Sequence, residues 1–185
     1  MAEYYLISQL PSLDAVGDIA PLPITEERFS ELCRTFLKER AQAVLDKITL
    51  SPPKTSDNTG SALIDSWSES ERNLRFALGK IRAEKMKKSF DTENRVIPAE
   101  YIKAAEQAAG LDNPMEAEKA LNAFRLEILE GLRPMDNFSE EFIFYYGLKL
   151  KLLGRMRQFD TAAGEAAYRN IYNSIINGER LEAKE

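Results

Sequence analysis

The stretch EEFIFYYGLKLKLLGRM, residues 140–156, decides the fold. Its LKLKL half alternates like a strand, but the run is too long for one strand and has no turn signal within it. At about 100° per residue, Phe142, Tyr145, Tyr146, Leu152, Leu153 and Met156 share one face, so the stretch is a helix. Ile143, Gly147, Leu150 and Gly154 form a second stripe. Its two glycines lie one heptad apart and let another helix backbone come close, although each costs about 1 kcal/mol in propensity. A helix apolar over most of its circumference belongs at the centre of a bundle. Lys149 falls inside the main apolar face, among Phe142, Tyr145, Leu153 and Met156. Its stem is expected to pack in the core, with the ammonium snorkelling out or paired to a carboxylate such as Glu127 or Glu130. A desolvated lysine of lowered pKa is also the chemistry of a nucleophile or base. Here no Gly-rich phosphate loop, Ser or Cys nucleophile or histidine accompanies it, and the structural role is favoured.

Helical signals extend outward from this segment in both directions. The opening EYYLISQLPSL is a short apolar run stopped by Pro11, too brief to assign, and residues 11–23, with Gly17 and three prolines, read as a connection. Thr25 fits an N-cap and is followed by Glu26 and Glu27. Phe29, Leu32, Cys33, Phe36, Val44 and Ile48 then recur at helical spacing, which predicts one helix with Cys33 as a small buried hydrophobe. SPPKTSDNTGS, residues 51–61, reads as an exposed loop or linker. A long helix follows with Leu63, Ile64, Trp67, Leu74, Leu78 and Ile81 on one side, and a Ser68/Glu71 capping box is predicted to divide it. Pro98 opens a helix ending at Gly110. Asn113-Pro114 opens another, striped by Leu121, Phe124, Ile128 and Leu132. Ser139 caps the central helix, Asp160 caps the last one and Gly178 is expected to close it. The expectation is all-α: six to seven helices in an elongated bundle without a substantial sheet, one domain over residues 1–185, with 51–61 as the place where it would subdivide.

Composition narrows the function classes. The chain has 185 residues, 44% of them hydrophobic and 30% charged, which is enough to bury a core and is not a disordered composition. With a net charge of −5 it carries no overall polyanion-binding signature. One cysteine forbids an internal disulfide, and the lack of histidine removes the commonest general base, zinc ligand and nucleophile partner. Apolar runs such as FIFYYGL are too short to span a bilayer, and MAEYYLISQL lacks a basic n-region. A cytoplasmic protein without direct membrane insertion is expected.

Local charge offers the remaining candidates. Residues 72–88 hold seven basic side chains (Arg72, Arg75, Lys80, Arg82, Lys85, Lys87 and Lys88) against Glu84 alone. Arg75, Arg82 and Lys85 share a helical side and would meet phosphates or clustered carboxylates. A solvated helix face is the plainer interpretation, and only Phe76 and Phe90 supply the aromatic interleaving that single-stranded nucleic acid favours. The acidic pairs Glu69/Glu71, Glu116/Glu118 and Glu140/Glu141 mostly lie in predicted first turns, where they complement the helix dipole. Without a Glu-x-x-His motif they make no di-metal site. No catalytic residue, metal, cofactor or small-molecule substrate is expected.

The opening YYLISQLPSL, the following ITEERFSELC and the late FYYGLKLKLLGRMRQFDTAAGEAAYRNI resemble a family of uncharacterised bacterial helical proteins encoded beside the subunits of V-type ATP synthases. The matching positions are Tyr4, Tyr5, Leu6, Leu10, Pro11, Ser12 and Leu13, then Phe29 and Cys33, then Tyr146, Lys149, Leu150, Arg155 and Gly164. The resemblance implies a non-catalytic helical subunit or assembly factor of the V-type rotary ATPase. In particular it implies a shortened relative of the all-helical, funnel-like socket that couples the central stalk to the membrane ring in V/A-type ATPases. Such a protein would be peripheral to the membrane through those partners, with Arg75, Arg82, Lys85, Lys149 and Arg155 as candidate partner-binding residues. The alternative is a general protein–protein adaptor or nucleic-acid-associated protein using residues 72–88.

Overall fold

The computed structural model describes residues 2–14, 21–55, 58–90, 95–157 and 161–182. Among these there are eight α-helices and no strand: α1 (Ala2–Gln9), α2 (Glu26–Phe36), α3 (Glu39–Leu45), α4 (Ala62–Lys85), α5 (Ala99–Ala109), α6 (Pro114–Gly131), α7 (Glu140–Arg157) and α8 (Thr161–Glu182). The all-α expectation holds, with one or two helices more than the sequence predicts. The unassigned opening run is α1.

Short-range side-chain caps set the starts of α2, α4, α6 and α7. Thr25 accepts from the Arg28 amide at 3.2 Å, Ser139 from the Phe142 amide at 3.2 Å and Asn113 from the Met115 amide at 3.0 Å. Pro98 and Gly110 bound α5. Three boundaries differ from expectation. The single helix predicted from Thr25 breaks at Leu37 and Lys38, which are extended with ψ of 148° and 152°. Leu37 at this elbow packs into two core clusters at once, and the turn sends Ala41 and Ile48 to a different part of the core from Phe29 and Cys33. The Ser68/Glu71 box does not form. Helix α4 runs unbroken from a cap at Ser61, whose hydroxyl accepts from the Ile64 amide at 3.2 Å, while Glu71 is buried in a tertiary ion pair. Helix α8 continues past Gly178 to Glu182. Asp160 and Gly17 lie outside the described residues.

Helix α7 is the axis of the fold and packs against α2, α3, α4 and α6. Its Ile143, Tyr146, Leu150 and Leu153 join Leu6, Leu13, Phe29, Leu32 and Cys33 in one cluster. Its Phe144, Tyr145, Leu148 and Leu152 join Ala41, Ile48, Leu63, Ile64, Trp67 and Leu129 in a second. The main face inferred from the helical wheel is therefore divided between two sets of neighbours, and Phe144 and Leu148, absent from both predicted stripes, are core residues. A third cluster of Leu74, Ala77, Ile81, Tyr101, Ala105, Ala108 and Leu121 holds α4, α5 and α6 together. Residues 51–55 do not hang free, because Pro52 is buried and its carbonyl accepts from Arg75 Nη1 at 2.8 Å. Gly147 makes the close approach that its position suggested: a Cβ there would stand 3.1 Å from Phe29 Cε1. At Gly154 the nearest atom would be at an ordinary 3.5 Å, so that glycine is not demanded by contact.

Candidate functional site

Two polar clusters are set into this apolar frame, and α7 contributes a cation to each. The Lys149 stem is buried, and its three ammonium protons find three acceptors: Asp14 Oδ1 at 2.5 Å, Glu130 Oε1 at 2.6 Å and the Tyr145 hydroxyl at 3.3 Å. The Tyr145 hydroxyl in turn donates to Glu130 Oε2 at 2.8 Å. Arg133 adds an ion pair to Asp14 at 3.5 Å and places its guanidinium 5.8 Å from the ring centres of Phe142 and Tyr145. The neighbouring Tyr146 hydroxyl donates to the Pro11 carbonyl at 2.8 Å. Together these contacts fasten the segment after α1 to α6 and α7. Glu130 is one of the two carboxylates that helical geometry proposed for Lys149. Asp14, far away in sequence, carried no signal.

The electrostatics decide what Lys149 does. Burial alone pulls its pKa down, but the hydrogen bonds to Asp14, Glu130 and Tyr145 outweigh that and leave it raised. The same contact with Lys149 holds the Asp14 carboxyl below the usual range, against an opposing effect of partial burial. Burial, helped by its bond to Glu130, pushes the Tyr145 phenol up to about 12. Lys149 is thus a fixed charge near neutral pH rather than a free amine, and a Schiff-base or general-base role would require the opposite shift. Cys33 is equally quiet, since burial pushes its thiol up to about 12.

The second cluster lies between α4, α6 and α7. Arg125 Nε donates to Glu71 Oε1 at 2.6 Å, with both side chains more than nine-tenths buried. Arg125 Nη1 reaches Asn122 Oδ1 at 3.0 Å and Glu118 at 3.4 Å, and Glu118 also pairs with Arg155. The acidic pairs noted in the sequence are therefore largely occupied as tertiary partners. Glu69 bridges Arg72 and Arg95, and Glu141 accepts from Ser61 Oγ at 2.7 Å and the Leu63 amide at 3.2 Å, closing the start of α4. No group of three or more acidic or cysteine side chains suited to a metal ion is found among the described residues.

The five candidate partner-binding residues differ in exposure and in the groups they engage. Lys149 and Arg155 on α7 engage carboxylates of the same chain. On α4, Arg75, Arg82 and Lys85 are all exposed, as their common helical side implied, whereas Arg72 of the same basic run is buried against Glu69. Arg75 and Lys85 donate to the carbonyls of Pro52 and Ala109. A cleft of about 180 Å³ between α2, α3 and α7 is lined by Phe29, Leu45, Ile48 and Leu150 beside the Glu26–Lys151 ion pair. That volume is well below the ~300 Å³ at which ordinary ligand pockets begin.

Residues 99–179, from the start of α5 into α8, match a family described as a protein of unknown function (DUF2764). Neither a curated protein nor a solved structure matches the chain. No helix among the described residues is long and apolar enough to cross a membrane.

Proposed function

We propose that this chain is a non-catalytic helical subunit or assembly factor of a V-type rotary ATPase, similar to a shortened form of the funnel-like socket and contacting the central stalk or the membrane ring. The observation that carries the reading is the convergence of the two ends of the sequence on which the resemblance rests. Leu6, Leu13, Phe29 and Cys33 from the first part pack with Tyr146 and Leu150 from the second in one cluster. Pro11 accepts from Tyr146, and Asp14, next to Leu13, pairs with Lys149. Part of the resemblance thus falls on residues that share one cluster, while Tyr4, Tyr5 and Gly164 lie outside it. A protein that couples stalk to ring needs a stiff helical frame and a charged outer surface that a partner can recognise. The buried axis of α7 meets the first need and the exposed Arg75, Arg82 and Lys85 meet the second.

Affinity purification of the full chain from its native cell is expected to recover catalytic and central-stalk ATPase subunits. Reversing Arg75, Arg82 and Lys85 to glutamate should reduce that recovery while helix content is kept, because exposed substitutions usually shift stability by about 0.5 kcal/mol or less. Loss of the two carbonyl contacts adds modestly to that figure. Recovery of nucleic-acid proteins with no ATPase subunit would overturn the proposal in favour of the adaptor reading.

A further inference from the structure

Helix α4 ends in a turn whose backbone favours glycine but which carries a lysine. Among the described residues, Lys87 is the one non-glycine position with a left-handed backbone, at φ 55°. Its amide donates to the Glu84 carbonyl at 3.0 Å, and the Lys88 amide donates to the Ala83 carbonyl at 2.9 Å. These are the paired bonds of a Schellman motif, with Lys87 at the left-handed position. Glycine is the usual residue there, because a Cβ crowds the following carbonyl in that conformation. Beyond the turn, Phe90 meets the Phe76 ring edge-on at 6.3 Å between centroids and lies against Gly79, where a Cβ would stand 2.7 Å away. Hydrogen bonds on one side and ring packing on the other therefore hold the lysine in a strained conformation.

Nothing inside the chain uses that side chain. Lys87 is exposed and makes no ion pair or side-chain hydrogen bond among the described residues, and the same holds for Arg82 and Lys88. Attraction to the α4 dipole does not account for it, since Arg82 and Lys85 already occupy the last turn and would stay there with glycine at position 87. What the turn adds is charge: Lys87 and Lys88 join Arg82 and Lys85, four exposed cations beside Glu84 alone. Such a group fits clustered carboxylates better than a polyanion. The chain is acidic outside residues 72–88, so an extended nucleic acid running past the turn would meet like charge, whereas a compact acidic surface would not. The two aromatic rings nearby are also engaged, Phe90 with Phe76, and Phe76 with the Arg95 guanidinium 4.9 Å from its centre, which leaves no free platform for bases. We infer that the left-handed turn at Lys87 is a docking element for an acidic protein surface, in which Lys87 and Lys88 extend the contact made by Arg75, Arg82 and Lys85. The identity of that partner rests on the ATPase reading.

Glycine at position 87 separates the fold from the contact. Lys87→Gly in the full chain should keep its helix content and melt at the wild-type temperature or up to ~4 °C above it, while recovery of ATPase subunits from the native cell falls about 5–10-fold. Lys87→Arg keeps the charge and should recover those subunits at close to the wild-type level, and nuclease treatment of the extract should change neither result. Undiminished recovery with Lys87→Gly would overturn the inference and leave the ATPase reading in place. A lowered melting temperature would give the lysine a role inside the fold and overturn it as well. Recovery abolished by nuclease would make nucleic acid the partner instead. If the wild-type chain recovers no ATPase subunit, the ATPase reading fails at that step and the inference falls with it, before any variant is compared.

Discussion

Lys149 and Arg125 are both buried cations, yet the cost of removing each depends on what is left behind. Methionine at Lys149 keeps the stem volume and leaves Asp14 and Glu130, whose side chains remain 55% and 39% exposed and can take up water. Methionine at Arg125 leaves Glu71, at 3% exposure, without a counter-charge. Denaturant unfolding should therefore show a loss of about 3–5 kcal/mol for Arg125→Met and about 1 kcal/mol or less for Lys149→Met. Equal losses would mean that the carboxylates around Lys149 cannot rehydrate. The asymmetry is invisible in sequence, where the two residues differ little in apolar surroundings. It depends on burial of the partner, and Glu71 is 54 positions away from Arg125.

At the scale of the elements, the contact between α2 and α7 is set by one glycine. Gly147→Ala brings a methyl to 3.1 Å from the Phe29 ring, which is itself buried against Tyr146 at 5.4 Å between centroids and has little room to yield. Overpacking of this kind costs about 1–3 kcal/mol and the gain in helix propensity returns about 1 kcal/mol. A net loss of stability is expected. Gly131→Ala at the end of α6 is the control, since an added Cβ meets nothing within 4 Å and should stabilise by up to about 1 kcal/mol. If both variants gained equally in thermal unfolding, close packing at Gly147 would not be the reason for glycine there.

For the whole molecule, the Asp14–Lys149 pair joins the N-terminal segment to the bundle core, so its titration is a property of global stability. Asp14 has a depressed folded-state pKa, and its contribution is present above its unfolded value near 3.9 and is lost as the pH falls through the folded value. Lys149 has a raised one, and its contribution is present below about 10.4 and is lost as the pH rises through the folded value. The pair thus stabilises a plateau from about pH 4 to 10. Because Lys149 is the principal cause of the Asp14 shift, Lys149→Met should flatten the acid limb of a plot of unfolding free energy against pH, below the unfolded carboxyl value near 3.9. An unchanged acid slope in that variant would assign the limb to other carboxylates.

What the sequence determined by itself is local or periodic. Thr25, Asn113 and Ser139 lie within three residues of the amides they cap, so their chemistry is legible from neighbours along the chain. Helix α7 is legible because an apolar circumference has no stable place except the centre, and the quiet character of Cys33 follows from its position on an apolar face. The tertiary structure alone decided where that periodicity was interrupted or shared out. The break at Leu37 preserves helical spacing on both sides and is favoured only through packing into two clusters. Glu71 resembled a capping residue and became half of a buried ion pair, and Asp14 became a partner of Lys149 across 135 positions. Such contacts depend on distances between distant segments, which a chain encodes only in the packing energy of the whole fold.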